Sequence, residues 1–183
     1  MIKYLFQTPI KVIPILNTDE INPVFGKAMK VGFKDCITNN LDENDALLIR
    51  NTFVKEAEIY LKEATGRNSK LKLQTSWSSI TNKYEFVSPH AHPIHTVVGV
   101  YYIKTSKNCG DLLLHDARGT TDFEIFYEKD KSGNTLSYRS AYRHAPKAGE
   151  LILFPAYVIH SVEPNMSDEQ RISIGLNFKN YET

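Results

Sequence analysis

The chain has 183 residues, 42% hydrophobic and 23% charged, which suffices for one domain with a sizeable buried core. A formal net charge of +1 gives no broad electrostatic footprint for nucleic acid, and no apolar run reaches membrane-spanning length. Cys36 and Cys109 form no CxxC pair and support no disulfide framework, and the first ten residues lack a signal-peptide core, so the expected setting is a reduced cytoplasm.

Ten Tyr and nine Phe lean the composition toward β-structure. Residues 1–16 alternate apolar and polar and carry Pro9 and Pro14, which suits an edge strand. Thr18-Asp19-Glu20 reads as a helix start leading toward Phe33, with Pro23 tolerated only near that start. A clearer helix begins at Asp42 or Asn44. Ala46, Leu47, Ile49, Phe53, Ala57, Tyr60 and Ala64 give it an apolar face, and Gly66 a stop.

From Leu71 the pattern changes to period two. Strands are expected over 71–80, 96–104, 111–115, 151–154 and 171–178, with turns at Thr81-Asn82-Lys83 and 163–170. Residues 119–142 read as a hairpin or long excursion near the site, and 142–150 as a polar turn. Helices followed by about eight short strands predict a mainly β fold with N-terminal helices, a cupin-like double-stranded β-helix or jelly roll. The helical support would span about 18–66 and the jelly-roll core about 71–178 of a single domain. An immunoglobulin-like sandwich is the alternative, but its Cys…Trp…Cys pattern is absent.

The chemistry gathers around Ser88-Pro-His-Ala-His-Pro-Ile-His-Thr96. His90 and His92 lie two apart, so on an extended backbone they share a face. His95 is at odd spacing from His92, and Pro93 between them interrupts a regular strand. His160 follows the strand that ends at Pro155 and is delivered at a turn. Together His90, His92 and His160 offer three imidazoles to one metal and leave positions open for substrate and oxidant. Such ligands suit Fe(II), Zn or Ni alike. Arg171, eleven residues beyond His160, opens the closing strand and would return to the same cavity with a planar fork for a carboxylate.

Each residue also has a plain structural reading. His160 could cap a turn, and Arg171 could pair with Glu163 or Asp168. One of Tyr101 and Tyr102 should be core packing, and Trp77 core or cavity wall. His95, His115 and His144 read as structural or exposed, with His95 a candidate for supporting a ligand from behind.

The ordered set HxH-P…GVYY…GELxLFPxxxxH…RISIxxN resembles the iron(II)/2-oxoglutarate-dependent oxygenase superfamily. Within it, the chain resembles a prolyl-hydroxylase-like family common in phage and marine bacterial genomes. Phe6-Gln-Thr-Pro-Ile10 is similar to that family's opening, and the specific part of the likeness is residues 77–178. The resemblance implies a jelly roll that holds Fe(II) through a His-x-Asp…His triad and uses 2-oxoglutarate and O2. His90 falls on the first His, His160 on the distal His, and Arg171 on the residue that pairs with the far carboxylate of 2-oxoglutarate. Tyr102 matches a tyrosine that hydrogen-bonds the cosubstrate. His92 stands where the triad has Asp, and Asp116 is the other candidate for that position; the spacing to His90 favours His92. Arg118 is a candidate substrate contact.

The activity so implied is oxidation of a C–H bond in a peptidyl or small-molecule substrate, with release of succinate and CO2. It needs no nucleic acid or membrane partner, and in a phage-encoded protein it would occur in the host cytoplasm. Two other readings stay open: a three-histidine, cupin-like dioxygenase that does not use 2-oxoglutarate, and a non-enzymatic jelly-roll binding or structural accessory protein.

Overall fold

The computed structural model describes residues 7–30, 41–116 and 141–181. The continuation toward Phe33, Arg118 and nearly all of the expected 119–142 excursion lie outside these residues. The elements run in the order β1 (Lys11–Pro14), α1 (Thr18–Lys30), α2 (Glu43–Ile49), a π turn (Arg50–Val54), α3 (Lys55–Thr65), β2 (Leu71–Thr81), β3 (Val87–His90), β4 (Val97–Lys104), β5 (Leu112–His115), β6 (Ala141–His144), β7 (Glu150–Pro155), β8 (His160–Val162) and β9 (Arg171–Asn180). Two antiparallel sheets form, a major one in the order β1-β7-β4-β9-β2 and a minor one in the order β3-β8-β5-β6. This is the expected double-stranded β-helix, with β1 on an edge as its prolines require.

The helices brace one face of the major sheet. Asp42 caps α2 by accepting the Asp45 N–H at 2.9 Å. Gly66, at φ 72°, closes α3 in the left-handed conformation and donates its N–H to the Lys62 carbonyl. Between these caps the π turn widens one turn of the helix. Ile49, Phe53, Ala57 and Tyr60 are buried while Leu47 is left half-exposed, unlike the face expected from a regular 3.6 period. Pro23 sits in the second turn of α1, farther from the start than its missing N–H favours. Residues 141–144, expected in a turn, form β6 against β5.

Strand alternation sorts the interior into two layers. Val97, Tyr101, Leu151, Leu153, Ile174, Leu176 and Phe178 pack against Phe25, Phe53 and the other helical residues. Val98, Tyr102, Ile152 and Phe154 point the other way and meet Leu112 and Leu114 of the minor sheet. Tyr101 is the core member of the tyrosine pair, its ring 5.2 Å from Phe53 and its hydroxyl donating to Asn22 Oδ1 at 2.7 Å. No helix among the described residues is long and apolar enough to cross a membrane.

Phe53 is fully buried and touches both Phe25 and Tyr101. Phe53→Ala is expected to cost about 3–5 kcal/mol in urea denaturation. A loss under about 1 kcal/mol would mean that the helices are not docked on the sheet as described.

Candidate active site

Between the two sheets lies a cavity of about 470 Å³, including space open to solvent. Three cross-strand rows build its floor: Arg171, opposite Thr81; Ser79, Ser173 and Tyr102; Trp77, Gly175 and Val100; the next row along is Thr75, Asn177 and Val98. Val87, His90, Leu112, His160 and Val162 of the minor sheet close over most of it. Gly175 is required because a Cβ there would overlap the Trp77 indole, which lies across β9 as cavity wall. A roomier hollow of about 940 Å³ beside Ile49, Val54 and Leu71 is lined by no histidine or carboxylate among the described residues.

The three predicted histidines converge, by a route the sequence did not suggest. β3 and β8 pair Val87 with Val162 and His90 with His160, so three steps on β3 match two on β8. This irregularity at Ser88-Pro89 turns His90 into the cavity across from His160, with ring centroids 4.3 Å apart. His92 lies beyond the strand. Its N–H donates to the Ala156 carbonyl at 3.0 Å, and its carbonyl accepts from His95 N–H at 3.0 Å, closing a turn with Pro93 in the second position. One ring nitrogen from each of His90, His92 and His160 lies within 4.8 Å of the others. Asp116, just after β5, is not a member of this cluster. His95 stands behind, its ring 6.3 Å from that of His92.

The nitrogens are prepared as donors of lone pairs. His90 Nδ1 is 2.8 Å from the Ser88 carbonyl and His160 Nδ1 is 3.0 Å from the Val158 carbonyl. A carbonyl accepts only, so each Nδ1 carries the proton and each Nε2 keeps its lone pair for a metal. Burial, then the neighbouring rings of His90 and His95, holds His92 down at about 4. Burial likewise brings His160 to about 4, with His90, His92 and His115 adding to the effect against the Val158 carbonyl. Both are neutral at physiological pH, the form that ligates. The His92 Nε2 is buried with no hydrogen-bond partner. Three imidazoles with a stranded nitrogen fit a divalent metal such as Fe(II).

Arg171 is 1% exposed. Its Nη2 donates to Thr81 Oγ1 at 2.8 Å and its Nη1 weakly to the Gly110 carbonyl at 3.4 Å, while Nε has no partner. The ion pairs open to it from sequence do not form: Asp168 pairs with Lys83 at 2.7 Å and Glu163 with Arg143 at 2.6 Å. Burial lowers the Arg171 pKa, opposed by Tyr102 and Cys109. Burial also raises that of Tyr102, which stays a neutral phenol one row along. A buried guanidinium without a carboxylate among the described residues is a site waiting for an anion. Ser79, Ser173 and Gly175 complete the cavity lining; Ser173 lies in the RISIxxN run, while Ser79 and Gly175 carried no signal of their own in the sequence. Trp77 lies 5.4 Å from His92, ring to ring. His115 hydrogen-bonds Ser161 at 2.8 Å, and His144 is buried beside Glu150, neither a member of the three-histidine cluster.

A jelly roll whose cavity is lined by His90, His160 and a buried arginine unpaired by any described carboxylate, with His92 completing a three-imidazole cluster, has the make-up of a non-haem metal oxygenase that anchors a dianionic cosubstrate. The family model described as "Putative 2OG-Fe(II) oxygenase" matches residues 75–177, over half the chain, and the chain belongs to that family of Fe(II)- and 2-oxoglutarate-dependent oxygenases. Among curated proteins none matches. Solved structures share the fold at low identity. A prolyl-4-hydroxylase of Pseudomonas putida is 14% identical over 97% of this chain and 91% of its own, with TM-score 0.62. HygX of Streptomyces hygroscopicus, with nickel and 2-oxoglutarate bound, is 12% identical over 95% and 83%, with TM-score 0.66. The carbocyclase SnoK from nogalamycin biosynthesis is 13% identical over 93% and 79%, with TM-score 0.65.

The depressed histidines give the metal-free protein an acid limit. Between the ordinary 6.5 and about 4, the unfolded chain binds protons that the folded His92 and His160 refuse. Their contribution is therefore complete above the unfolded value and is lost as the pH falls through that window. Melting temperatures in chelator should drop from about pH 7 to about pH 5, and less steeply in His160→Gln. A melting temperature that holds level or rises on acidification would contradict the assignment.

Proposed function

We propose that the chain hydroxylates a C–H bond of a peptidyl or small-molecule substrate, converting 2-oxoglutarate and O2 to succinate and CO2, one oxygen atom going to succinate and the other to the product. The observation that carries this is the buried Arg171, unpaired by any carboxylate among the described residues, in the same cavity as His90 and His160, whose ring nitrogens His92 joins within 4.8 Å. In this reading the three imidazoles hold Fe(II), which when bound supplies the O2 chemistry that side chains lack. Arg171 anchors the far carboxylate of 2-oxoglutarate with its fork, helped by the Thr81 hydroxyl that fixes its plane. The Tyr102 phenol lies one row away to hydrogen-bond the same cosubstrate, and Val87, Val100, Leu112 and Val162 exclude water around it. Trp77 walls the metal end of the cavity beside His92. Arg118 and Asp116 remain proposals for substrate contact, and Asp116 would enter the metal site only if His92 did not.

Residues 18–66 and 71–178 act here as one unit, the helices bracing the sheet that carries the cavity floor. The substrate class follows from likeness of fold to a prolyl-4-hydroxylase and to enzymes of small-molecule biosynthesis. A cytoplasmic setting, the host's if the gene is phage-borne, agrees with the absence of a disulfide framework. A three-histidine dioxygenase without 2-oxoglutarate has no use for a buried Arg171, and a purely structural jelly roll has none for a stranded His92 Nε2.

Iron-loaded protein should release succinate and CO2 from 2-oxoglutarate in equal amounts, and His160→Ala should abolish the release. Arg171→Met should weaken 2-oxoglutarate binding by roughly 100-fold. With no cosubstrate present, the same variant should melt no lower than wild type, because it relieves an uncompensated buried charge. Intact 2-oxoglutarate affinity together with a lowered melting temperature would make Arg171 a structural residue and sink the proposal.

A further inference from the structure

Of the three candidate ligands, two have their Nδ1 proton held by a backbone carbonyl, and His92 does not. Its Nδ1 instead faces the side-chain amide of Asn177, at 3.4 Å. Asn177 is 4% exposed on β9, in the row between Thr75 and Val98, and its amide nitrogen lies 2.9 Å from Thr75 Oγ1. Two atoms here are buried without partners, Asn177 Oδ1 and His92 Nε2.

Oxygen and nitrogen of a carboxamide fill the same space, and hydrogen bonding decides which of them faces a neighbour. With the nitrogen toward His92, its N–H donates to Nδ1 and drives the imidazole proton onto Nε2. That leaves a buried N–H with no acceptor, and an Nε2–H cannot ligate a metal. With the oxygen toward His92, Oδ1 accepts from Nδ1–H and from the Thr75 hydroxyl together. The amide nitrogen then occupies the place where the oxygen had no partner, so no hydrogen bond is given up. His92 Nε2 changes from a stranded donor to a free lone pair facing the other two rings. All three histidines then share one arrangement, Nδ1–H on an oxygen and Nε2 on the cavity.

We propose that Asn177 is a positioning residue that fixes the His92 tautomer through its amide oxygen and thereby completes the three-nitrogen face. The proposal rests on His92 being a metal ligand, and it assigns to Asn177 the work that the Ser88 and Val158 carbonyls do for His90 and His160.

Trp77 is the chain's single tryptophan and stacks near His92, so its fluorescence reports metal arrival without any turnover. Co(II) alone should quench it in wild type. Asn177→Leu, which keeps the size and removes the acceptor, should weaken Co(II) binding about 10- to 100-fold. Asn177→Asp, which can only accept, should bind at least as tightly as wild type. Wild-type affinity in Asn177→Leu, or an Asp variant as weak as the Leu variant, overturns the role. Should Asn177→Leu not fold, long-range proton–nitrogen NMR of metal-free wild type decides: Nδ1–H at His92 is expected, and Nε2–H overturns the proposal. Unchanged Co(II) binding in His92→Ala would be a different failure, removing His92 from the ligand set and the Asn177 role with it.

Discussion

Along β9, clamped between β2 and β4, successive side chains belong to different parts of the protein. Ile174, Leu176 and Phe178 are buried against the helices, while Arg171, Ser173 and Gly175 form the cavity floor, with Asn177 next on the same face. Side-chain direction in a strand has period two, so a slip of one residue would exchange the two sets. Arg171 would then enter an apolar layer and Phe178's neighbours would fill the cavity. The aromatic packing of Phe25, Phe53 and Tyr101 on the helix side opposes that slip. Among the described residues, the helices contribute none to the cavity lining and yet hold the register on which its chemistry depends.

That register places a positive charge where water does not compensate it. Arg171 has one good hydrogen bond, to Thr81, and no carboxylate among the described residues. Such a charge burdens the empty fold, and a bound dianion converts the burden into affinity and orientation. Neutral His92 and His160 add no competing positive charge near the metal end. In the proposed reading the cavity then offers imidazole nitrogens to a cation and a guanidinium to an anion. A cosubstrate carrying a carboxylate at each end suits that pairing.

Much of this was legible in the chain. The edge strand, the caps at Asp42 and Gly66, the alternating strands and the four residues His90, His92, His160 and Arg171 all follow from local chemistry and order. The His90–His92 pair was legible for an incomplete reason: a shared strand face was expected, whereas His90 faces inward through an irregularity at Ser88-Pro89 and His92 through a proline turn. β6 was missed because Ala141-Tyr-Arg-His144 has His144 as its one buried residue, and so short an edge strand shows no apolar alternation. Asn177 closes the RISIxxN run, but no role could be read for it, since its meaning depends on a histidine 85 positions away in sequence. The π turn could not be read either, because a single widened turn leaves the helical period nearly intact.

The central claim is that one cavity holds Fe(II) on three imidazoles and 2-oxoglutarate on Arg171 at the same time. Anaerobic addition of Fe(II) and then 2-oxoglutarate to the apo-protein, followed by visible absorbance, tests it most directly. The account predicts a weak charge-transfer band that requires both components and is absent in His160→Ala. Iron binding with no band on adding 2-oxoglutarate, or no iron binding at all, would contradict it.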